Sequence, residues 1–406
     1  MKTICIIGAF DTKAPEHAFV RTEILARGHQ VLTVNVGTLG TTDLFPVDVE
    51  ASEIADAGGG DLQALRQAHD RGDAMKVMSA GAPVVVAQLY EEGKFDGIIG
   101  MGGSGGTTVI TAGMRALPVG VPKVCVSTIA AGDVGGFVGA KDIVMMPSIV
   151  DVAGLNRISR IIFARAAGAI CGMVETEISE STDDKPVITA SMFGNTTACV
   201  NLCMEQLTEK GYEVLVFHAT GIGGRTMESL VREGLVDGVL DITTTEWADE
   251  VCRGVFTAGP QRLDGPGEMG VPHLIVPGCV DMANFGPMAT VPERYKQGDR
   301  VFYEWNPSVT LMRTNVEENW QMGQIFAEKA NAAKGPVAFL IPLRGVSILD
   351  GDGERFCDRE ADQAMFDAIK ANLHAGIPVV EVDCNINDPA FAAKAVEMML
   401  GLIRQK

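Results

Sequence analysis

The chain has 406 residues, of which 47% are hydrophobic and 21% are charged, and its net charge at pH 7 is −19. This composition is typical of a folded globular protein with two or three domains, and it excludes wholesale disorder. A surface this acidic repels nucleic-acid backbones and anionic lipids. We therefore expect no nucleic-acid partner and no membrane partner.

The cysteines and the first residues of the chain indicate where the protein resides. The nine cysteines are an odd number, lack a C-x-x-C pair and stand mostly in apolar runs, which is typical of reduced thiols. No signal peptide precedes the first strand pattern, and no apolar run reaches the roughly 18 residues that a membrane span needs. These features predict a cytoplasmic protein.

The first half of the chain alternates short apolar runs with amphipathic segments. This pattern predicts a parallel sheet covered by helices on both faces. Strands are expected at residues 3–8, 29–36, 95–100 and 123–128, and helices at 15–27 and 107–117.

A second unit of the same kind begins near Pro186. Phe193 lies 183 residues after Phe10, Gly211 lies 183 residues after Gly28, and the expected strands and helices coincide at this offset. The polar segment 175–185 is the natural boundary. The predicted fold class is α/β, with two Rossmann-like lobes, residues 1–183 and 184–406, whose mostly parallel sheets face an interlobe cleft. Later strands are expected at residues 336–342 and 378–383, and later helices at 358–374 and 389–404.

The glycine loop, residues 101–108, lies between an expected strand and an expected helix. Backbone amides in such a loop crowd an anion, and the helix N-terminus adds about half a positive charge. The sequence here is neither a dinucleotide fingerprint nor a P-loop. We predict a phosphate or carboxylate site, with a tight packing turn as the alternative; its residues are Gly102, Gly103, Ser104, Gly105, Gly106, Thr107 and Thr108.

Two further strand ends are expected beside that loop. The first strand ends at Gly8 and is followed by Asp11, Thr12 and Lys13. Asp11 suits a ribose hydroxyl or a hydrated Mg²⁺, and Lys13 suits a phosphate. A helix cap and a solvated lysine are the alternatives. Ser127 and Thr128, at the end of another strand, are expected at the same edge of the sheet.

The second glycine loop, residues 218–225, follows a strand of the second lobe. We predict that Thr220, Gly221, Gly223, Gly224 and Arg225 bind an anionic substrate. His218, at the start of this loop, is a candidate acid or base, and a hydrogen-bonded structural histidine is the alternative.

Three other charged side chains are candidates for chemistry. Glu246 lies three residues before Asp249 on a starting helix, a spacing that suits proton transfer or a metal, although both also suit the positive helix end. Arg313 and Arg344 stand in apolar runs, where an arginine meets either a substrate carboxylate or an internal aspartate. His218, Glu246 and Arg313 are the catalytic candidates, and Arg344 is a substrate-binding candidate.

Several motifs are spread over the whole chain: Asp11-Thr12-Lys13, the glycine loop, Asp151-Val152-Ala153-Gly154-Leu155-Asn156, Phe217-His218-Ala219-Thr220-Gly221, Asn306-Pro307-Ser308-Val309-Thr310-Leu311-Met312-Arg313-Thr314 and Ile386-Asn387-Asp388-Pro389. Together they resemble the Tm-1-like ATP-binding family (UPF0261). The resemblance implies ATP and Mg²⁺ as cofactors, bound at the glycine loop with help from Asp11, Thr12 and Lys13. It also implies a partner with a TIM barrel, which plant relatives carry in the same chain. Trp305 and Asn385 stand where relatives often carry histidine.

Three functional hypotheses follow. The first is an ATP- and Mg²⁺-binding protein of small-molecule metabolism that hydrolyses or uses ATP. The second is an ATP-independent hydrolase or lyase that holds a keto acid or sugar acid in the interlobe cleft through Arg225, Arg313 or Arg344. The third is a non-catalytic sensor or inhibitory module whose interlobe cleft closes when nucleotide binds. A homo-oligomer is expected, as for many two-lobed α/β proteins.

Overall fold

The computed structural model describes residues 1–178 and 184–405. The chain divides into two compact units, Met1–Glu180 and Ser181–Lys406, called unit 1 and unit 2 here. The end of the first predicted lobe, residues 179–183, lies outside the described residues. In the part that is described, no helix is both long and apolar enough to cross a bilayer.

Unit 1 contains a five-stranded parallel sheet in the order β2-β1-β3-β4-β5. The strands are β1 (Thr3–Gly8), β2 (Gln30–Asn35), β3 (Gly97–Gly102), β4 (Lys123–Ser127) and β5 (Val144–Pro147). The helices are α1 (Ala14–Leu25), α2 (Ala51–Ala57), α3 (Leu62–Ala68), α4 (Arg71–Glu91), α5 (Ser104–Arg115), α6 (Gly135–Val138) and α7 (Arg157–Glu175). The strand order changes direction between β1 and β3, which makes this edge the topological switch point.

The alternation of side chains along β1 explains why the sheet is covered on both faces. Ile4 and Ile6 pack with α1 and α7, whereas Cys5 and Ile7 pack with α2, α4 and α5. Both sets are buried, so the strand is apolar throughout, as the sequence indicated. The predicted α/β class with mostly parallel sheets is confirmed.

Unit 2 contains a six-stranded parallel sheet in the order β14-β13-β9-β8-β6-β7. These strands are β6 (Val187–Met192), β7 (Glu213–His218), β8 (Gly238–Thr243), β9 (His273–Gly278), β13 (Val337–Pro342) and β14 (Val379–Val382). The order β7-β6-β8-β9 repeats the order β2-β1-β3-β4 of unit 1. An offset of 183 residues places β2 on β7, so the sequence repeat corresponds to a repeat of topology.

Helices cover this second sheet, and a small antiparallel sheet follows β9. The helices are α8 (Thr197–Glu209), α9 (Ile222–Arg232), α10 (Glu246–Cys252), α11 (Asp264–Met269), α12 (Glu293–Lys296), α13 (Val316–Asn331), α14 (Arg359–Asn372) and α15 (Pro389–Ile403). The antiparallel sheet is β10 (Met282–Phe285), β12 (Val309–Arg313) and β11 (Phe302–Asn306), in that order. This sheet was not predicted from the sequence, because its short strands lie among glycine- and proline-rich loops.

Candidate functional site

A cavity of about 600 Å³ lies at the carboxyl ends of β1 and β3 in unit 1. This volume is typical of a small-molecule site, and the switch point is where open α/β sheets bind ligands. Four segments form its wall: the turn after β1, the loop after β2, α3 with the start of α4, and the glycine loop. The lining residues are Ala9, Asp11, Thr12, Lys13, Val36, Gly37, Thr38, Leu39, Leu65, Arg66, His69, Asp70, Arg71, Ala74, Met75, Met78, Met101, Gly102, Gly103, Ser104, Gly105, Gly106 and Val109.

The glycine loop is shorter than the sequence predicted, because α5 begins at Ser104 rather than at Thr107. Gly103 is the extended N-cap residue, and its carbonyl accepts a hydrogen bond of 2.8 Å from the amide of Thr107. Gly105 and Gly106 therefore lie in the first helical turn. Amides of a first turn have no carbonyl partner within the helix, so this turn presents N–H groups to the cavity.

The glycines of this loop do not all serve the same purpose. A β-carbon on Gly102 would lie 3.0 Å from the Cα of Gly106, so this glycine permits the tight turn. A β-carbon on Gly106 would meet no atom within 4 Å, and one on Gly103 only the Thr128 hydroxyl, at 3.9 Å. Gly102 therefore serves packing, whereas Gly103 and Gly106 leave open space, and anion binding at this loop stays a prediction.

Asp11 lies between the turn after β1 and the loop after β2. Its Oδ2 atom accepts a hydrogen bond of 2.8 Å from the amide of Leu39, and the absence of a side chain at Gly37 makes room for the carboxylate. Its Oδ1 atom is buried and has no hydrogen-bond partner among residues 1–178 and 184–405. The N-cap of α1 is Lys13, so the alternative that Asp11 caps this helix is wrong.

Lys13 lines the cavity and is held by the loop that follows β5, the edge strand of the sheet. Its Nζ atom donates a hydrogen bond to the carbonyl of Val152. An ammonium group has three N–H donors, and within residues 1–178 and 184–405 that of Lys13 uses one, so two remain for a ligand.

Gly8 does not line the cavity. A β-carbon on Gly8 would lie 2.0 Å from the Nε2 atom of His17, so glycine is required here for ring packing. Burial lowers the pKa of His17 to about 4, although the hydrogen bond from Nδ1 to the Lys13 carbonyl opposes this shift, and the ring is neutral at pH 7.

Of the predicted hydroxyl residues, Thr12 and Ser104 line the cavity, whereas the other four stand beside it. The hydroxyls of Thr107 and Ser127 are buried and lie 2.6 Å apart, which ties α5 to the end of β4. The hydroxyl of Thr108 donates to the carbonyl of Ser104 within the helix. Thr128 is exposed beyond Gly103. Their cofactor-binding role stays a prediction.

Three lining residues with basic side chains were missed by the sequence analysis. Arg66, His69 and Arg71 come from α3, from the residue that follows it and from the first position of α4. The signal present in the sequence was a pair of aspartates, Asp61 and Asp70, each of which caps the helix that follows it. Nothing in that pattern indicated that these helices lie over the glycine loop.

In unit 2 the second glycine loop holds an internal anion. The Oε1 atom of Glu246 accepts hydrogen bonds of 2.8 Å from the amide of Gly221 and 3.1 Å from that of Gly224. The Oε2 atom accepts a bond of 2.6 Å from the Nε of Arg262. Burial raises the pKa of Glu246, although Arg262 and the Gly221 amide oppose this shift. The amides that we expected to bind substrate thus bind a carboxylate of the same chain.

Arg262 is the centre of a buried ion network that the sequence did not indicate. Its guanidinium binds the two oxygens of Asp241 at 2.6 and 2.5 Å, and Glu228 lies 3.5 Å away. Burial opposes ionisation of Asp241, but Arg262 outweighs this effect and holds the pKa of the carboxyl well below its usual range. The charged side chains in and just after β8, Asp241 and Glu246, are therefore ion-paired with Arg262 inside the protein.

The remaining catalytic and substrate candidates are dispersed. Arg313 is buried and pairs with Asp362 at 2.6 Å and with Asp350 at 3.3 Å, the internal arrangement left open by the sequence. Arg344 is 55% exposed and pairs with Asp383, so its expected apolar surroundings are wrong.

His218 and Arg225 both belong to the second glycine loop, but their hydrogen bonds in the described part of the chain involve different groups. His218 is exposed at the end of the edge strand β7. Arg225 donates to the carbonyl of Thr257, and the hydroxyl of Thr220 donates to the carbonyl of His218. The functional roles of these residues stay predictions.

Glu246 and Asp249 are held by different internal partners. Within the described ranges, no three His, Cys, Asp or Glu side chains are arranged to hold a metal ion. Asp249 instead accepts hydrogen bonds of 2.8 and 2.7 Å from the main chain and side chain of Asn284. Burial raises the pKa of Asp249 to about 7, against the opposing effect of these bonds.

Family models and sequence relatives match this protein over nearly the whole chain. Residues 2–179 match the Uncharacterised protein family (UPF0261) N-terminal domain, and residues 185–403 match its C-terminal domain. A UPF0261 protein of Clostridium tetani is 46% identical over 100% of both chains. The tomato ToMV resistance protein Tm-1(GCR237) is 41% identical over 81% of this chain but 44% of its own length.

A solved UDP-N-acetylglucosamine 2-epimerase from Rickettsia bellii matches 68% of this chain and 78% of that chain at 12% identity. Its TM-score is 0.24, which is too low to carry an argument about fold or function. The family models and the sequence relatives are therefore the informative comparisons. The chain belongs to the UPF0261 family.

Proposed function

We propose that this protein binds ATP together with Mg²⁺ in the cavity of unit 1, as a nucleotide-dependent protein of small-molecule metabolism. The observation that carries the proposal is the distribution of groups around one cavity of about 600 Å³. First-turn N–H groups, cations and apolar side chains line it together, and Met75 lies next to Gly105 beside Arg71. The resemblance of the motifs to the Tm-1-like ATP-binding family supports the same ligand.

The phosphates would lie at the glycine loop. The first turn of α5 offers amides, and its helix dipole adds a partial positive charge at this point. Lys13 and Arg71 line the same cavity, so the ligand's negative charge is met by cations although the whole chain carries a charge of −19. A local arrangement of this kind binds a polyanion that the rest of the surface repels.

The base would lie against an apolar wall. Ala74, Met75 and Met78 are on the face of α4 that lines the cavity, since residues at these spacings share one side of a helix. Val36 and Leu65 complete the wall. Methionine and leucine side chains adapt to a flat aromatic ring, and burial of apolar surface adds affinity without specific hydrogen bonds.

The Oδ1 atom of Asp11 suits a magnesium ion. It is a buried carboxylate oxygen with no partner in the described part of the chain, and Mg²⁺ is bound in nucleotide sites by one or two carboxylates together with phosphates and waters. The amide of Leu39 fixes the orientation of the carboxylate through its other oxygen. Bound Mg²⁺ would neutralise phosphate charge, and Asp11 would orient it.

Calorimetry with ATP, ADP and AMP, with and without Mg²⁺, tests the proposal. We expect Mg²⁺-dependent ATP binding to the wild type and its loss in Gly105→Val, because a β-carbon there would lie 3.2 Å from the Nη2 of Arg71 and fill the phosphate position. Gly136→Val is the matched control, since Gly136 is exposed, has open space around it and lies outside the cavity. Absence of nucleotide binding at millimolar concentrations would refute the proposal.

A further inference from the structure

We propose that the solvent side of α7 binds a second copy of this chain, with the two α7 helices antiparallel about a twofold axis. This side, called the α7 face here, is formed by Ile158, Ile161, Ala164, Arg165, Gly168 and Gly172. The interface is independent of the nucleotide site proposed above. It follows from the apolar composition of the α7 face and from the distribution of charge along the helix.

The α7 face is unusually apolar for a surface that meets water. The opposite side of the helix packs into the core through Phe163 and Ile170. On the α7 face, Ile158 and Ile161 are 42% and 45% exposed, and Arg165 is the one charged residue among its six members. A helix that is apolar on both sides needs a partner for each. By contrast, the solvent side of α14 carries Glu360, Gln363, Asp367 and Lys370.

The charges of α7 are placed against the helix dipole. Arg157 and Arg160 lie at its start, which is the positive end of the dipole, and Glu175 is its last residue, at the negative end. Within residues 1–178 and 184–405, neither arginine pairs with a carboxylate, and Arg160 contacts only the ring of Phe19. Glu175 meets the Nε2 atom of His29 at 2.7 Å, and its side chain is 57% exposed. Each end of the helix therefore carries a charge that the dipole disfavours.

An antiparallel second copy compensates both ends at once. The helix has 19 residues and is about 28 Å long. When two such helices are aligned end to end in opposite directions, Arg157 lies opposite Glu175 of the partner subunit, and the same pair recurs at the other end. A parallel copy would place like charges together, which costs free energy. The face thus carries both a cation and its anion and is complementary to itself, as a twofold interface requires.

The middle of the helix suits close approach in the same register. Ala164 lies opposite Gly168 of the partner subunit, because both are the same number of residues from the centre of the helix. Small side chains at a helix crossing allow a short distance between the two axes. Ile161, one turn before Ala164, is then covered by the partner helix rather than by water. The exposed apolar surface and the unpaired charges are satisfied by one arrangement.

Sedimentation velocity of the full chain measures the assembly. The experiment uses 0.15 M salt, where a Debye length of about 8 Å screens the repulsion between two chains of charge −19. We expect a dimer, and Ile161→Glu should weaken self-association by about tenfold or more, because it buries a carboxylate at the centre of the interface. Val84→Glu is the matched control, since Val84 is 54% exposed on α4 of the same unit. It should leave the dimer unchanged, and both variants should keep the wild-type unfolding midpoint.

Charge reversal tests the antiparallel arrangement. Arg157→Glu and Glu175→Arg should each weaken the dimer, because each places like charges at both ends of the helix pair. The double variant restores opposite charges and should associate more tightly than either single variant. Glu175→Arg is the reference for the double variant, since both lose the contact with His29.

Each unexpected result has one meaning. A wild-type protein that stays monomeric up to millimolar concentration would overturn the proposal, and so would a dimer that Ile161→Glu leaves intact. A double variant that associates no more tightly than the single variants would overturn the antiparallel pairing. None of these measurements involves nucleotide, so their outcome is separate from that of the proposed function.

Discussion

The Oε1 atom of Glu246 lies 2.8 Å from the amide nitrogen of Gly221, so a carboxylate of the chain fills the second glycine loop. In unit 1 the first turn of α5 faces a cavity, and its anion would come from outside. The two units share a strand order, but the loop amides of unit 2 bind a side chain of the chain, whereas those of unit 1 face a cavity. A glycine-rich loop therefore predicts an anion, but not whether the anion is a ligand or a side chain.

The first prediction concerns that internal anion. Glu246→Ala should lower the free energy of unfolding by about 3–5 kcal/mol, because Arg262 loses a buried partner and two amides lose their acceptor. Urea unfolding measures this. Acetate should restore part of the loss by filling the vacated position, and Glu205→Ala, an exposed site on α8, is the control. Equal stability of the two variants would contradict this account of the loop.

A second prediction separates the two arginines that the sequence treated alike. Arg313→Met should lower the free energy of unfolding by about 3 kcal/mol, since the buried carboxylates of Asp350 and Asp362 would lose their buried cation and keep only the partly exposed Arg359 as an ion-pair partner. Arg344→Met makes the same chemical change at an exposed position and should leave the unfolding midpoint unchanged within error. A large effect at Arg344, or none at Arg313, would show that the observed pairs do not govern stability.

The third prediction is a dependence of stability on pH. Burial raises the pKa of Asp249 to about 7 in the folded protein, whereas an unfolded aspartate titrates near 3.9. Between these values the folded state holds a proton that the unfolded state has lost. Stability from this group is therefore complete below pH ~4 and is lost as the pH rises to ~7, by roughly 1 kcal/mol per pH unit.

Asp249→Asn tests this dependence because it removes the titrating group with little change of shape. Urea unfolding of both proteins across the same pH interval should show a smaller decrease of stability for the variant as the pH rises. Parallel curves for wild type and variant would mean that Asp249 titrates normally in the folded protein.

The fourth prediction concerns magnesium. Asp11→Asn keeps an oxygen for the Leu39 amide but removes the charge of the buried carboxylate, so it should abolish the gain in ATP affinity that Mg²⁺ gives. ATP affinity in EDTA should not fall. Calorimetry in Mg²⁺ and in EDTA gives both values, with Asp73→Asn, exposed on α4, as the control. A full Mg²⁺ effect in the Asp11 variant would place the ion elsewhere.

Much of the candidate site could be predicted from local patterns. Asp11, Lys13 and the glycine loop each follow a strand, and neighbouring parallel strands bring such segments to one edge. Arg66 and Arg71 could not be found in this way. They belong to helices inserted between β2 and β3, and no periodicity states which part of the sheet those helices cover.

The sequence by itself determined the α/β class and the repeat of topology, because the alternation of Ile4, Cys5, Ile6 and Ile7 between two cores is a local property of a doubly covered strand. Only the tertiary structure decided where the charges go. Glu246 meets Gly221, and Arg313 meets Asp362, across long stretches of chain. A charged side chain is stabilised by whichever partner the packed elements bring within hydrogen-bond distance, and that proximity is a property of the assembled fold.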